Sequence, residues 1–556
     1  MARTVAIGVQ DFEKIIINNS FYIDKTNFIK EWWDSRDEVT LITRPRRFGK
    51  TLNMNMLERF FSNKYQNQGE LFEGLDIWKE ETYRNIQGSY PVLFLSFADI
   101  KEQNRDGAME SIKTNLAALY NQNRFLLTEG FLNPAEQEQF TSVSTNMSDV
   151  AAAKSIRFLC SYLNKYYNKK VIILMDEYDT PLQEAYVNGY WKELVAFTRN
   201  LFNNTFKTNP YLERAVMTGI TRVSKESMFS DLNNLKVITM TSNKYASYFG
   251  FTETEVFAAM DEFGLTNKDE VKSWYDGFTI GNRTDIYNPW SIISFLDERK
   301  LKPYWANTSS NGLVGSLIQT GDMDLKMHFE DLLQGHSIHS DIDEEIVFDH
   351  LDNNDESAVW SLLFASGYLK VLEIQNDYYE LDLTNYEVRR MFESLVSGWF
   401  RKDRTHYNQF IKSLLSADVE AMNEYMNRFA LNTISYFDVG GTESNRIEPE
   451  RFYHGFVLGL LVELKSRYEI SSNRESGFGR YDVMLKPLNE TDDAIILEFK
   501  LYNSKKEKDM EETVQNALKQ IEDKKYEQIL LDQDIAKERI RKYGFAFQGK
   551  KVLIGE

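Results

Sequence analysis

The chain has 556 residues, 42% hydrophobic, 27% charged and 14% aromatic; at roughly 100–200 residues per domain, this is the composition of a multidomain globular protein, not a disordered one. Its 65 basic and 84 acidic side chains leave a net charge of −19, which excludes a uniformly basic nucleic-acid binder but allows a local basic site. No apolar run suits a membrane span, the first residues lack the apolar core of a secretory leader, and the single cysteine, Cys160, excludes a disulfide framework or a Cys-based zinc cluster; a cytoplasmic protein is expected.

In chain order, Val39–Thr43, Pro91–Phe97, Val171–Met175 and Arg214–Thr218 read as short buried strands, with enough chain between them for crossover helices. That alternation predicts an α/β domain with a mainly parallel sheet. From residue 288 the pattern turns helical around a small hairpin at Tyr368–Leu383, and Gly321–Phe400 holds eighteen acids against four bases. A polar stretch, Gly440–Glu448, is followed by a helix over Glu450–Leu464, strands within Tyr468–Lys500, a helix over Asp509–Lys524 and a strand near Glu527–Asp532. The expected domains are therefore 1–287, 288–440 and 441–556. Leu501–Glu556 balances twelve bases against eleven acids, so nucleic acid would meet the ends of the chain, not its acidic middle.

The first strand runs into Arg44-Pro-Arg-Arg-Phe-Gly-Lys-Thr51, followed by a helical pattern. This is the strand–loop–helix context of a phosphate-binding P-loop. Arg47, Gly49 and the helix N-terminus would cradle phosphates, Lys50 would reach the β- and γ-phosphates, and Thr51 would hold Mg²⁺. The departure is that Arg44 stands where the motif has its first glycine, and Pro45 removes one N–H donor. A second apolar strand ends in Asp176-Glu177, a Walker B arrangement. Asp176 would bind Mg²⁺ and Glu177 would polarise the attacking water. At the end of the next strand, Thr218 could contact the water or γ-phosphate, and Arg222 could sense the nucleotide.

Near the C-terminus, Gly477-Phe-Gly-Arg-Tyr-Asp482 leads into a strand, a polar turn and a second strand containing Glu498-Phe-Lys500. Side chains alternate along a strand, so Glu498 and Lys500 share one face, and Asp482 on the partner strand can join them. Two carboxylates suit a hard divalent cation, and an adjacent lysine can orient or polarise a nucleophile. Glu450 on the preceding helix could complete the metal set. His454 reads as a packing residue, and Gln520 on the following helix could contact phosphate.

These strings resemble a bacterial family that pairs an AAA-ATPase-like domain with a C-terminal PD-(D/E)xK nuclease-like domain. The resemblance lies in Ile7–Phe12, Tyr22–Thr26 and Arg44–Thr51, and in Tyr453-His454, Ser476–Asp482, Glu498–Lys500 and Ala517–Ile521. Trp274–Gly277, Tyr287–Pro289 and Tyr304–Thr308 also look like family features, without an assigned role. The family's loop carries the same arginine as Arg44. The resemblance implies a P-loop NTPase (AAA-like) parallel-sheet domain and a restriction-endonuclease-like α/β domain, on either side of the helical middle read from the sequence pattern. It implies ATP and Mg²⁺ as cofactors, with Mn²⁺ as an alternative at the nuclease site, and DNA or RNA as partner. A homo-oligomer is allowed, since AAA-type sites often borrow an arginine from a neighbour. The alternative is a nucleotide-gated regulatory or scaffold protein whose nuclease-like domain binds without cleaving.

Overall fold

Five apolar runs build the first sheet: β1 (Val39–Thr43), β2 (Val92–Ser96), β3 (Val171–Asp176), β4 (Leu212–Gly219) and β5 (Leu235–Ile238). The computed structural model describes residues 3–221, 229, 231–305, 312–320, 323–343, 351, 355–375, 378–399, 404–433, 461, 464, 467–472, 475–476, 479–480, 482–489, 491–504, 506–533, 535–548 and 551–556. By their contacts they fall into two compact units, Met1–Leu317 with Gly335–Arg390 and Ile318–Gln334 with Met391–Glu556. Among the described residues no helix is long and apolar enough to cross a membrane.

In the first unit the five strands are all parallel, in the order β2-β3-β4-β1-β5. β1 and β3 are buried along their whole length, as strands covered on both faces must be. The crossovers include α1 (Lys50–Phe61), the helix Asp149–Tyr167, α2 (Thr180–Val187) and the helix Trp191–Phe206. Ile42, Leu57, Phe60, Ile172, Leu174 and Val216 share one core, between the sheet and α1. The register sets Ile42 opposite Thr218, Thr43 opposite Gly219 and Ser96 opposite Asp176. The C-terminal ends of β1, β3 and β4 thus meet at one edge, where parallel sheets gather ligands.

The same unit contains the small antiparallel sheet of β6 (Phe251–Thr252), β7 (Phe278–Ile280) and β8 (Arg283–Tyr287), then α3 (Pro289–Glu298). It also holds β9 (Ile338–Asp341), β10 (Leu369–Gln375) and β11 (Tyr378–Leu383). β10 and β11 are the expected hairpin, and β9 pairs with β11 as a third strand within the stretch read as helical.

In the second unit, β12 (Tyr468–Ser472), β15 (Val483–Pro487), β16 (Ala494–Leu501), β17 (Ile540–Gln548) and β18 (Lys551–Gly555) form a mixed sheet; β13 (Glu475–Ser476) and β14 (Gly479–Arg480) pair separately. β16 and β17 are parallel and joined through α4 (Met510–Asp523), the crossover that a parallel pair requires. The close seat of α4 depends on Gly544, where a Cβ would lie 2.8 Å from the Val514 carbonyl oxygen. Asn423 and Asn427 pair their amides with the backbone of Ile554 and Val552, closing the β18 edge. Glu527–Asp532 is not the expected strand. Gln528–Leu531 is a short helix, because Tyr526 and Leu530, four residues apart, pack into one apolar cluster with Ile521; the strand comes later, as β17. Most of the helix expected over Glu450–Leu464 lies outside the described residues.

Candidate functional sites

The Arg44–Thr51 loop leaves β1 at the sheet's C-terminal edge. Arg44 is fully buried, and its guanidinium donates to the carbonyls of Thr43 at 2.8 Å, Thr239 at 2.6 Å and Lys244 at 3.4 Å. The side chain points back into the fold, so an arginine in the first-glycine position does not obstruct the loop. Arg47 and Gly49 take left-handed conformations, with φ of 66° and 77°, and the exposed Arg47 guanidinium stacks 4.2 Å over the Trp290 ring. Lys50 opens α1 and is buried, donating to the carbonyls of Arg44 and Pro45, both at 3.0 Å. Burial lowers its pKa, while Glu177, Asp179 and Asp176 pull the other way.

Thr51 donates its hydroxyl to Asp176 Oδ2 at 2.7 Å, and Thr218 donates to Asp176 Oδ1. The sheet therefore brings Lys50, Thr51, Asp176 and Thr218 together from three strand ends. Burial pushes the Asp176 pKa up, against the lowering effect of the two hydroxyls. Glu177 follows with φ of 50°, a left-handed backbone costly for a non-glycine residue, and its carboxylate accepts the Thr180 hydroxyl at 3.2 Å. Arg222 lies outside the described residues.

Asp179 is a residue the sequence reading passed over. It is buried, and its Oδ2 accepts the N–H groups of Ile220 at 2.8 Å and Thr221 at 3.0 Å, tying the turn after β3 to the exit of β4. A Cβ at Gly219 would lie 2.7 Å from Asp179 Oδ1 and from Tyr178 Cε1, so glycine is required there. Its sequence signal is weak, since a second acid after Asp176-Glu177 looks like one more solvated carboxylate.

In the second unit, Val483 pairs with Leu497 in an antiparallel hairpin, and that register continued by one residue sets Asp482 opposite Glu498. Asp482 Oδ2 accepts the Phe499 N–H at 2.7 Å. Gln520, from α4, donates to Glu498 Oε1 and to Tyr526 Oη and accepts from Lys500 Nζ at 2.6 Å. Glu498 and Lys500 do share a face, joined through one amide. Glu498 is 2% exposed, so its charge requires such partners. Among the described residues no group of three or more His, Cys, Asp or Glu side chains is gathered to hold a metal. The hard oxygen donors of Asp482 and Glu498 fit Mg²⁺, as do those of Thr51 and Asp176. Glu450 and His454 lie outside the described residues.

Residues 6–229 match the family model described as AAA-ATPase-like, a predicted AAA-ATPase, and residues 448–556 match that of the PD-(D/E)XK nuclease superfamily. The chain is also similar to a protein of Azotobacter chroococcum mcd 1 described as an uncharacterized protein in the vnfD 5' region. The two are 26% identical over 401 residues, covering 70% of this chain and 68% of the other.

Proposed function

We propose that this chain, which carries an AAA-ATPase-like domain and a PD-(D/E)XK nuclease-like domain, is an ATP-binding and ATP-hydrolysing protein. Its nucleotide state controls a cytoplasmic, Mg²⁺-dependent hydrolysis of phosphodiester bonds in DNA or RNA. The observation that carries the reading is the convergence of Lys50, Thr51, Asp176 and Thr218 at one sheet edge.

In the first site, a P-loop with its Walker B strand, the N–H groups of Arg47 and Gly49 hold phosphate oxygens. Lys50 exchanges its two carbonyl partners for the β- and γ-phosphates. Thr51 and Asp176 hold Mg²⁺, Glu177 orients and polarises the attacking water, and Thr218 keeps Asp176 in place. In the second site, Asp482 and Glu498, with Glu450, hold Mg²⁺, and Lys500 orients the nucleophile while Gln520 sets the lysine. When bound, the metal neutralises charge developing on the phosphoryl oxygens. Loss of turnover in Glu177→Gln and loss of DNA or RNA cleavage in Lys500→Ala test the two halves separately.

A second reading, a nucleotide-gated protein that binds nucleic acid without cutting it, is favoured by Pro45, which deprives the loop of one donor. Tight ATP binding with no turnover and no cleavage would decide for it.

A further inference from the structure

Tyr287-Asn288-Pro289 and Tyr304-Trp305 have no part in the mechanism above, yet in the folded chain they reach the same atom. Asn288 Nδ2 donates to the Arg46 carbonyl at 3.3 Å, and Trp305 Nε1 donates to it at 3.1 Å. A carbonyl oxygen has two lone pairs and can accept both. Both donors are firmly seated. Asn288 is fully buried, and its Oδ1 caps α3 by accepting the N–H groups of Trp290 at 2.8 Å and Ser291 at 3.4 Å. Trp305 is 1% exposed, packed against the rings of Phe278 and Tyr368. Its backbone N–H donates to Glu387 Oε1 at 2.6 Å, and Glu387 Oε2 accepts the Ser291 hydroxyl at 2.7 Å. One fully buried carboxylate therefore joins the two donors.

We propose that Asn288 and Trp305 are positioning residues for nucleotide binding: they fix the Arg46–Arg47 peptide so that its N–H faces the bound phosphates. The proposal rests on the phosphate-loop reading above. In a trans peptide the N–H points opposite to the C=O. Holding the Arg46 carbonyl from outside turns the Arg47 N–H into the loop. Among the described residues, no acceptor meets the backbone N–H of Arg46, Arg47, Phe48 or Gly49. Successive free N–H groups beside left-handed residues are the form of an anion-binding nest. Because Pro45 offers no N–H, this loop has fewer donors than a glycine-rich one. The orientation of the Arg47 N–H is set by residues far along the chain.

The test is MgATP affinity of the full chain, read with a fluorescent ATP analogue, beside the melting temperature without nucleotide. Trp305→Phe keeps a ring in the core and removes the donor; Asn288→Asp keeps the α3 cap and removes the other. Each should weaken MgATP binding about five- to tenfold with the nucleotide-free melting temperature unchanged. The double variant should lose less than the product of the two, since both act on one atom. If the wild type binds no ATP, the phosphate-loop reading fails and the brace with it. If the wild type binds, Lys50→Ala does not, and both brace variants bind like wild type, the brace alone is wrong. A fall in affinity matched by a fall in nucleotide-free melting temperature in both variants would assign these residues to packing and overturn the proposal.

Discussion

Thr51 and Asp176 stand 125 residues apart in the chain and share a 2.7 Å hydrogen bond. The bond exists because β1 and β3 flank β4, so the start of α1 lies over the end of β3. It places a hydroxyl and a carboxylate beside Lys50, a buried ammonium whose present partners are two backbone carbonyls. An anion is a better partner for that charge than a carbonyl. Lys50→Ala should therefore weaken MgATP binding by about 10–100-fold, the worth of a charge-assisted hydrogen bond. Thr51→Ala should weaken it only when Mg²⁺ is present. Equilibrium binding with and without the metal checks both.

Glu177 is separable from binding. Its carboxylate touches Thr180, not Lys50 or Thr51, and its left-handed backbone sets it apart from β3. Glu177→Gln should leave ATP affinity within about threefold of wild type while reducing turnover by at least about 10²-fold, the loss of general-base assistance. Phosphate release measured beside the binding assay separates the two effects.

Gly219 is constrained by contact. A methyl group there would press on Asp179 and Tyr178, both buried. Gly219→Ala should destabilise the first unit by about 1–3 kcal/mol, the usual cost of overpacking, and loosen the hold of Asp179 on Ile220 and Thr221. Thermal unfolding should show a lower midpoint for the first unit, and this loss should remain when ATP is absent.

The strands carrying Asp176, Thr218 and Glu498 were legible as apolar runs, since buried strands must be continuous and rich in β-branched residues. β5 was not, because Leu235–Ile238 has four residues and is largely half-exposed. The loop from β1 into α1 was legible by its residue order, but the placement of Arg44 was not. A buried arginine solvated by three carbonyls looks, in sequence, like a basic residue in a basic turn. Asp179, Asn288 and Trp305 acquire meaning only through neighbours 41 to 259 positions away, and no periodicity encodes such distances. The strand reading of Glu527–Asp532 failed in the opposite direction. The consecutive apolar residues Ile529-Leu530-Leu531 read as a strand core, although Tyr526 and Leu530 lie four residues apart, at helical spacing.

Asp276 offers a pH test in the first unit. Burial pushes its pKa up to about 6 from 3.8, with Lys272 opposing. Between those values the folded chain binds more protons than the unfolded chain, so this group makes stability fall as pH rises from about 4 through 6. Asp276→Asn removes the titration. The variant should show a flatter dependence of melting temperature on pH in that window and be relatively more stable above it. An unchanged slope would place the titration elsewhere.

The most direct measurement is cleavage of single- and double-stranded DNA and RNA in Mg²⁺ or Mn²⁺, with and without ATP, by the wild type, Lys500→Ala and Lys50→Ala. The predicted result is metal-dependent cleavage that disappears in Lys500→Ala and loses its ATP dependence in Lys50→Ala. Cleavage that persists in Lys500→Ala, or its absence from the wild type on every substrate, would contradict an ATP-controlled nuclease built on Asp482, Glu498 and Lys500.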